Sequence, residues 1–163
     1  GCEICYHMDA GKKLARGELL TMGGTKNVLV EFFPKSGIST IQNGLQEIQM
    51  AGKQPILAHA ERYRELLGNY DAIEKFIQMG FYIQVNASAV AGQEGFRIKQ
   101  FVKKLLDYEM VHLIGTDAHD PQHRKPAIRD CATYIERKWG SDYVEELLVH
   151  NPDVLLKGFY LND

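Results

Sequence analysis

Short apolar segments alternate with longer amphipathic segments along the whole chain, and this alternation constrains the fold more than any other feature. The five apolar segments are Cys2 to Tyr6, Val28 to Phe33, Pro55 to His59, Phe81 to Asn86 and Val111 to Thr116. All are short, and four of them carry β-branched or aromatic residues, which is typical of buried parallel strands. The segment from Pro55 differs in composition, but its brevity still favours a strand.

The segments between the predicted strands carry apolar residues at helical spacing. The spacing predicts helices over Ile38 to Met50, Asp71 to Met79, Phe96 to Tyr108 and Ala127 to Trp139, then a final helix capped by Ser141 and a last turn from Asn151-Pro152. Glycines follow several of these segments and act as stop signals. Alternating strands and helices predict βα units around a parallel sheet, with right-handed crossovers.

Composition excludes several classes of protein. The 163 residues fit one domain, and 45% apolar with 25% charged residues is ordinary globular composition rather than disorder. The net charge of −2 gives no electrostatic footprint for nucleic acid, and no apolar run approaches the roughly 18 residues of a membrane span. Three cysteines (Cys2, Cys5 and Cys131) match neither a disulfide scaffold nor a zinc ribbon, so a reducing cytoplasm is predicted.

Polar side chains end the predicted strands at nearly regular intervals. They are Glu3 within the first segment, then Glu31, His59, Asn86 and the Asp117-Ala118-His119 triplet at the ends of the others. The intervals between positions 3, 31, 59, 86 and 117 are 28, 28, 27 and 31 residues, close to one βα unit per step. Because the carboxyl ends of parallel strands form one rim in a βα barrel, we expect these side chains to converge there.

The chemistry of these side chains indicates a metal site. Carboxylates and neutral imidazoles are ligands for Zn, Mn and Fe, whereas carboxylates crowded together without a cation repel one another. Taken singly, Glu3 or Glu31 is equally typical of a solvated group, and Asp117 of a helix cap. Cys5 shares the strand face of Glu3, and we interpret Cys2 and Cys5 as structural thiols.

Two arginines in the predicted rim loops indicate an anionic substrate. Arg62 follows His59 by three residues, and Arg124 follows the Asp117-Ala118-His119 triplet. The planar guanidinium group binds phosphate through paired hydrogen bonds. The alternative is that these arginines form surface ion pairs with Glu61, Glu65 or Asp120.

Three ordered motifs resemble those of a known family. Leu57-Ala58-His59-Ala60-Glu61-Arg62-Tyr63, Gln84-Val85-Asn86-Ala87-Ser88 and Gly115-Thr116-Asp117-Ala118-His119-Asp120 are similar to motifs of the polymerase-and-histidinol-phosphatase (PHP) superfamily. More narrowly, the chain resembles the manganese-dependent protein tyrosine phosphatases of the CpsB/CapC/YwqE type, nearly from end to end. Ala60 stands where the family usually has proline, and we expect this change to alter loop rigidity without affecting ligation.

The resemblance implies a distorted (β/α)7 barrel with up to three metal ions, most simply Mn²⁺, with Fe or Zn as alternatives. By position, Glu3, Glu31, His59, Asp117 and His119 match metal ligands, and Arg62 and Arg124 match the arginines that engage phosphate. Asn86-Ala87-Ser88 matches a motif that shapes the site. The His-x-His pair that family members carry before the segment of Glu3 is not in this sequence. The chain therefore resembles the C-terminal two thirds of one PHP domain, spanning 1–163 as an incomplete barrel of about five βα units.

The resemblance also implies an activity and a partner. The implied reaction is hydrolysis of phosphotyrosine on a tyrosine autokinase with a tyrosine-rich tail, which regulates capsular or extracellular polysaccharide synthesis. The enzyme would act in the cytoplasm without membrane insertion, and a homo-oligomer is compatible with the sequence. Cys131 and Arg137 have the spacing of a Cys-x5-Arg motif, but they lie in a predicted helix and not in a nucleophile loop, so no cysteinyl-phosphate is expected.

Three alternatives stay open at this point. The same residues suit histidinol phosphate or another small phosphomonoester as substrate. The absent His-x-His pair favours a non-catalytic PHP remnant that binds a partner. A metal-dependent amidohydrolase is a weaker alternative, because the paired arginines and the absence of a candidate carboxylated lysine at a strand end count against it.

Overall fold

Five parallel strands form one sheet in which strands adjacent in sequence are adjacent in space. The computed structural model describes residues 3–118 and 127–161. The strands are β1 (Glu3–Cys5), β2 (Asn27–Glu31), β3 (Gln54–Leu57), β4 (Tyr82–Asn86) and β5 (Leu113–Gly115), in the order β1-β2-β3-β4-β5. Every neighbouring pair is parallel. The prediction of a parallel α/β fold is confirmed, although each strand differs at one or both ends from its predicted bounds.

Helices follow the strands and return the chain to the start of the sheet. They are α1 (Ala10–Ala15), α2 (Ile38–Met50), α3 (Tyr70–Gln78), α4 (Ala87–Ala91), α5 (Phe96–Asp107), α6 (Ile128–Trp139), α7 (Ser141–Glu145) and α8 (Asn151–Leu156). A π-helical turn at Glu146–His150 joins α7 to α8, and 3₁₀ turns occupy Met22–Gly24 and Ala60–Arg62. No helix in 3–118 or 127–161 is long and apolar enough to cross a bilayer.

The helices α1 and α4 and the cap at Ser141 differ most from the sequence prediction. The α2 bounds match the predicted ones, but α1 and α4 were not predicted because each has only a turn or two and lacks a repeating apolar pattern. The predicted Ser141 cap is wrong: Ser141 is the first residue of α7, and its hydroxyl contacts Asp142. Gly140, with φ 98°, ends α6 and precedes α7, so it is the one residue between the two helices.

The sheet separates two apolar clusters because side chains alternate between its faces. On one face, Val28, Val30, Ile83 and Val85 pack in the main core against the long helices. The other face carries a smaller cluster of Ile56, Tyr82, Leu113 and Leu155, the last of which belongs to α8. The polar residues Gln84 and Asn86 follow Tyr82 along this second face, so the second face leads to the candidate site.

A buried histidine lies at the start of β5, at the opposite end of the sheet from the polar strand ends. The His112 ring lies 5.0 Å from the Tyr82 ring, and its Nδ1 accepts a hydrogen bond from the Ile83 amide at 3.2 Å. Burial lowers the pKa of His112 to about 4 from an ordinary value of 6.5. The ring is therefore neutral in the folded protein, whereas in the unfolded chain it charges below 6.5.

We expect His112 to make the fold acid-sensitive. Its contribution to stability is complete above pH 6.5 and is lost as the pH falls through 4, with a total of about 3 kcal/mol at 1.36 kcal/mol per pKa unit. Urea unfolding of the wild type and of His112→Asn between these pH values measures it, and the variant should lose less stability on acidification. His150→Asn alters an exposed histidine and is the control. Equal acid sensitivity of all three proteins would contradict this assignment.

Candidate metal centre

Glu3, Glu31 and His59 come together at one end of the sheet. Each offers one ligand atom, and these atoms all lie within 4.8 Å of one another. Glu31 ends β2, and His59 follows β3 by two residues. The strand register makes this convergence possible, because Cys5 of β1 lies beside Glu31 and Leu57 of β3 lies beside Val30. Side chains 56 residues apart in sequence thus face one another across three adjacent strands.

The donor chemistry of the cluster fits a divalent cation. His59 Nε2 lies 2.8 Å from Glu3 Oε1, and His59 is only 5% exposed. Glu3 Oε1 is buried and has no hydrogen-bond donor among the described residues. An oxygen without a donor, an imidazole nitrogen and a second carboxylate around one point are a favourable ligand set for Mn, Zn or Fe. A cation would also relieve the repulsion between the two carboxylates.

The ring of His59 is oriented by a neighbour on the next strand. Its Nδ1 lies 2.8 Å from Asn86 Oδ1, and both residues are buried. A hydrogen bond from Nδ1–H to this oxygen leaves Nε2 facing the two glutamates. Burial is the largest single influence on the pKa of His59 and lowers it, but the Glu3 carboxylate and the hydrogen bond with Asn86 together outweigh burial and raise the pKa. The cluster therefore attracts positive charge at the position of Nε2.

Arg62 and Asp117 form an ion pair on the same rim. Arg62 Nη2 contacts Asp117 Oδ2 at 2.5 Å, and the Asp117 side chain is 5% exposed against 31% for Arg62. Asp117 lines a cavity of about 390 Å³ together with Glu3 and His59. The cluster of Glu3, Glu31 and His59 does not include Asp117. The structure thus places a guanidinium group and a third carboxylate beside that cluster.

Among the described residues, Arg62 does not form the surface ion pairs considered with Glu61 and Glu65. Glu61 is fully buried, and its Oε1 accepts a hydrogen bond from the Asn86 amide at 3.1 Å. Glu65 instead accepts from the amide of Ile38 at the start of α2. Both glutamates are therefore engaged with backbone groups, and the guanidinium group turns towards Asp117.

Glu61 is a buried acid that the sequence analysis treated only as a surface partner. Burial, with a smaller contribution from Glu94, raises the pKa of Glu61 to about 7 against the hydrogen bonds from the backbone. Its Oε2 has no hydrogen-bond partner among the described residues. The sequence feature that could have indicated a buried Glu61 is its position between the candidate site residues His59 and Arg62.

Two of the predicted site residues lie outside the described residues. These are His119 and Arg124, together with Cys2 and the alternative ion-pair partner Asp120. Cys5 is exposed, and His7 pairs with Asp9 on the surface. Neither residue joins the cluster of Glu3, Glu31 and His59.

The family is decided by comparison with known proteins. The sequence profile of the CpsB/CapC capsular polysaccharide synthesis family matches residues 1–157. The chain belongs to the CpsB/CapC family. Membership confirms the resemblance inferred from the three motifs. It also agrees with the clustering of the strand-end residues that the alternation of strands and helices predicted.

Individual relatives agree with this assignment. The tyrosine-protein phosphatase CpsB of Streptococcus pneumoniae is 34% identical over 157 residues, covering 93% of this chain and 65% of the relative. The tyrosine-protein phosphatase YwqE of Bacillus subtilis is 28% identical, covering 96% of this chain and 61% of the relative. This CpsB/CapC chain thus spans about two thirds of the length of the relatives that it matches.

A solved structure supports the same fold. It comes from the crystal structures of YwqE from Bacillus subtilis and CpsB from Streptococcus pneumoniae, described as unique metal-dependent tyrosine phosphatases. The TM-score is 0.89 at 26% identity, over 98% of this chain and 64% of the solved chain. The parallel five-stranded α/β fold of this CpsB/CapC member is therefore shared with that structure.

Proposed function

We propose that this CpsB/CapC family member is a metal-dependent tyrosine-protein phosphatase. The observation that carries the proposal is the cluster of Glu3, Glu31 and His59, whose ligand atoms lie within 4.8 Å of one another beside the Arg62–Asp117 pair. A cation site next to a guanidinium group suits hydrolysis of a phosphate ester. The relatives named CpsB and YwqE are tyrosine-protein phosphatases, which favours an aryl phosphate on a protein.

In this proposal the ligand set is Glu3, Glu31 and His59, joined by Asp117 and His119, and the metal is Mn²⁺ with up to three ions. A bound divalent cation supplies a nucleophile near neutral pH because it lowers the pKa of coordinated water. Glu3 and Glu31 balance the charge of the cation, and His59 contributes its Nε2. The buried, donor-free Oε1 of Glu3 supports this assignment of the ligands.

Arg62 and Arg124 bind the phosphate in the proposed mechanism. The guanidinium group of Arg62 uses Nη2 for Asp117, and the other donors of its planar fork would bind oxygens of a phosphate. Asp117 holds the guanidinium group in place, because the carboxylate of the pair is shielded from solvent. Positive charge held at fixed positions stabilises the negative charge that develops on the phosphoryl group.

The wider biological proposal rests on family membership. We propose that the sheet belongs to a distorted (β/α)7 barrel of the PHP type, supported by parallel strands in sequential order. In this proposal the enzyme acts in the cytoplasm on a tyrosine autokinase with a tyrosine-rich tail, and dephosphorylation of the kinase regulates capsular or extracellular polysaccharide synthesis. The capsular polysaccharide synthesis profile over residues 1–157 supports this pathway.

Parallel assays test the proposed activity. The purified protein is mixed with a phosphotyrosine peptide or with histidinol phosphate, with Mn²⁺ and with the metal removed by a chelator. We expect phosphate release from the peptide that depends on Mn²⁺. Preference for histidinol phosphate would replace the proposal with a small-phosphomonoester phosphatase. Metal binding without turnover of either substrate would replace it with a non-catalytic partner-binding role.

The thiol of Cys131 should play no part in the reaction. Cys131 is fully buried in α6, and burial raises the pKa of its thiol to about 12, so no reactive thiolate is present at neutral pH. We expect Cys131→Ala to retain the kcat and KM of the wild type on the phosphotyrosine peptide. Metal content measured on the same preparation is the control. An inactive variant with full metal content would overturn the metal-dependent mechanism.

A further inference from the structure

A buried glutamine connects the backbone and the ring of His59. Gln84 lies on β4, is 4% exposed, and lines the cavity beside Glu3 and His59. Its Oε1 accepts a hydrogen bond from the His59 amide at 2.7 Å. Its Nε2 donates to the Val85 carbonyl at 2.8 Å and to Asn86 Oδ1 at 3.2 Å. The Gln84 side chain is uncharged, so it acts on the site through the directions of its hydrogen bonds and not through charge.

The hydrogen bond from the His59 amide to Gln84 Oε1 accounts for the backbone conformation of His59. The amide of Ala58 still bonds to the Val30 carbonyl and continues the ladder between β2 and β3, whereas the His59 amide bonds to Gln84 instead. His59 then adopts the left-handed conformation, with φ 50° and ψ 49°, which is uncommon for a residue with a side chain. Gln84 thus satisfies the amide at the point where the chain turns the imidazole towards Glu3.

The second set of contacts decides which nitrogen of His59 carries the proton. A backbone amide only donates and a carbonyl only accepts, so the contacts to His59 and Val85 identify both ends of the Gln84 amide. Gln84 Nε2 therefore donates to Asn86, and the atom that receives it must be the Asn86 oxygen. Because His59 Nδ1 faces that same oxygen, Nδ1 must be the donor. The lone pair of the neutral ring is then on Nε2, which faces the two glutamates.

Two further observations support the conclusion that Gln84 orients the Asn86 amide, and through it the His59 ring. Asn86 Nδ2 is buried without a hydrogen-bond partner among the described residues, so the contacts of Nδ2 do not explain the orientation of the Asn86 amide. Gly115, on the adjacent β5, makes room for Gln84, since a Cβ at position 115 would lie 2.6 Å from Gln84 Nε2. The strand pair β4–β5 is thus shaped around the glutamine amide.

We propose that Gln84 is a positioning residue that, through the His59 amide and the Asn86 oxygen, holds His59 in the tautomer and backbone conformation that present Nε2 to a metal ion. This inference rests on the proposed metal-dependent function. It assigns to Gln84 a role that neither its residue type nor its place within a strand indicated. Gly115 then acts through Gln84, by leaving space for the amide.

Gln84→Met tests the proposal, because methionine has a similar length and shape without the polar amide. The matched control is Gln54→Met. Gln54 is a buried glutamine on β3 whose Nε2 donates to the carbonyls of Pro55 and Gly80, at the start of the strand and away from the site. Gly115→Ala is a second variant that keeps every polar group but displaces the Gln84 amide. Thermal unfolding shows how far each substitution affects the fold.

The first readout is the tautomer of His59, taken from the nitrogen chemical shifts of its ring in metal-free protein at alkaline pH. We expect the Nδ1–H form in the wild type and in Gln54→Met, and a mixture of tautomers in Gln84→Met and Gly115→Ala. The second readout is Mn²⁺ affinity, followed by the signal of the free ion in electron paramagnetic resonance. We expect it to fall by about 10–100-fold in Gln84→Met, the range typical of outer-shell partners, and to stay unchanged in Gln54→Met.

The outcomes separate the two proposals. If the wild type does not bind Mn²⁺, the proposed function fails, while the tautomer comparison still decides whether Gln84 orients the ring. If the wild type binds Mn²⁺ and Gln84→Met keeps both its affinity and a single Nδ1–H tautomer, the role of Gln84 is overturned. If Gln54→Met loses as much affinity as Gln84→Met, the effect is one of general stability, and the positioning role is likewise rejected.

Discussion

Replacing His59 with alanine is expected to remove Mn²⁺ binding and phosphatase activity together. His59 supplies the imidazole nitrogen of a three-residue cluster, and its loss leaves Glu3 and Glu31 facing one another with no neutral ligand between them. We expect kcat/KM on a phosphotyrosine peptide to fall by at least about 10³-fold, since in the proposed mechanism the bound metal would supply the nucleophile. Metal content of the dialysed protein and peptide turnover are the two measurements.

A second variant distinguishes loss of the metal site from loss of folding, which replacement of the buried His59 could also cause. Glu31→Gln alters a half-buried ligand with little change in shape, and we expect it to lower metal content and activity together. His150→Ala, at an exposed histidine, is the control and should match the wild type. Full Mn²⁺ content in folded His59→Ala and Glu31→Gln would show that the cluster is not the metal site.

Replacing Arg62 with alanine is expected to separate catalysis from metal binding. Without the guanidinium group the phosphoryl charge loses a fixed donor, and kcat/KM should fall by about 10²–10³-fold. Mn²⁺ affinity should be kept or should rise, because Asp117 loses its positive partner. Peptide turnover at saturating Mn²⁺, with a Mn²⁺ titration of the same protein, measures both quantities.

Two neighbouring substitutions sharpen this experiment. Arg62→Lys keeps the charge but not the planar fork, so an intermediate rate is expected. Arg64→Ala removes an exposed arginine two residues further along the chain and should leave turnover unchanged. If Arg62→Ala turns over the peptide at the wild-type rate, the proposed phosphate contact is wrong.

The strands and α2 could be predicted because their signals are local. A short apolar run or a helical spacing depends on residues within one turn or one strand, and the alternation of such segments leaves few topologies. The bounds were less certain: β5 covers only Leu113–Gly115 of the predicted Val111 to Thr116. The short helices α1 and α4 were missed because they depend on packing against neighbours more than on their own pattern.

Some features of the candidate site could likewise be predicted from the sequence, and others could not. The residue types at the strand ends, and the motifs around His59 and Asp117, were sufficient to indicate the CpsB/CapC family, which the family profile confirms. The predicted ligand and phosphate-binding roles stay predictions, and His119 and Arg124 lie outside the described residues. The convergence of Glu3, Glu31 and His59 follows from parallel strands in sequential order, which the sequence alone predicts.

Contacts between distant parts of the chain required the tertiary structure. The Arg62–Asp117 pair spans 55 residues, and the Gln84 contact to His59 spans 25. No periodicity encodes which of several nearby acids a guanidinium group will face, because that choice depends on burial and on competing hydrogen bonds, as the engaged Glu61 illustrates. The sequence by itself determined the order of strands and the kinds of side chain at their ends. Only the fold decided their partners, since distance and solvent exclusion exist only once the strands are side by side.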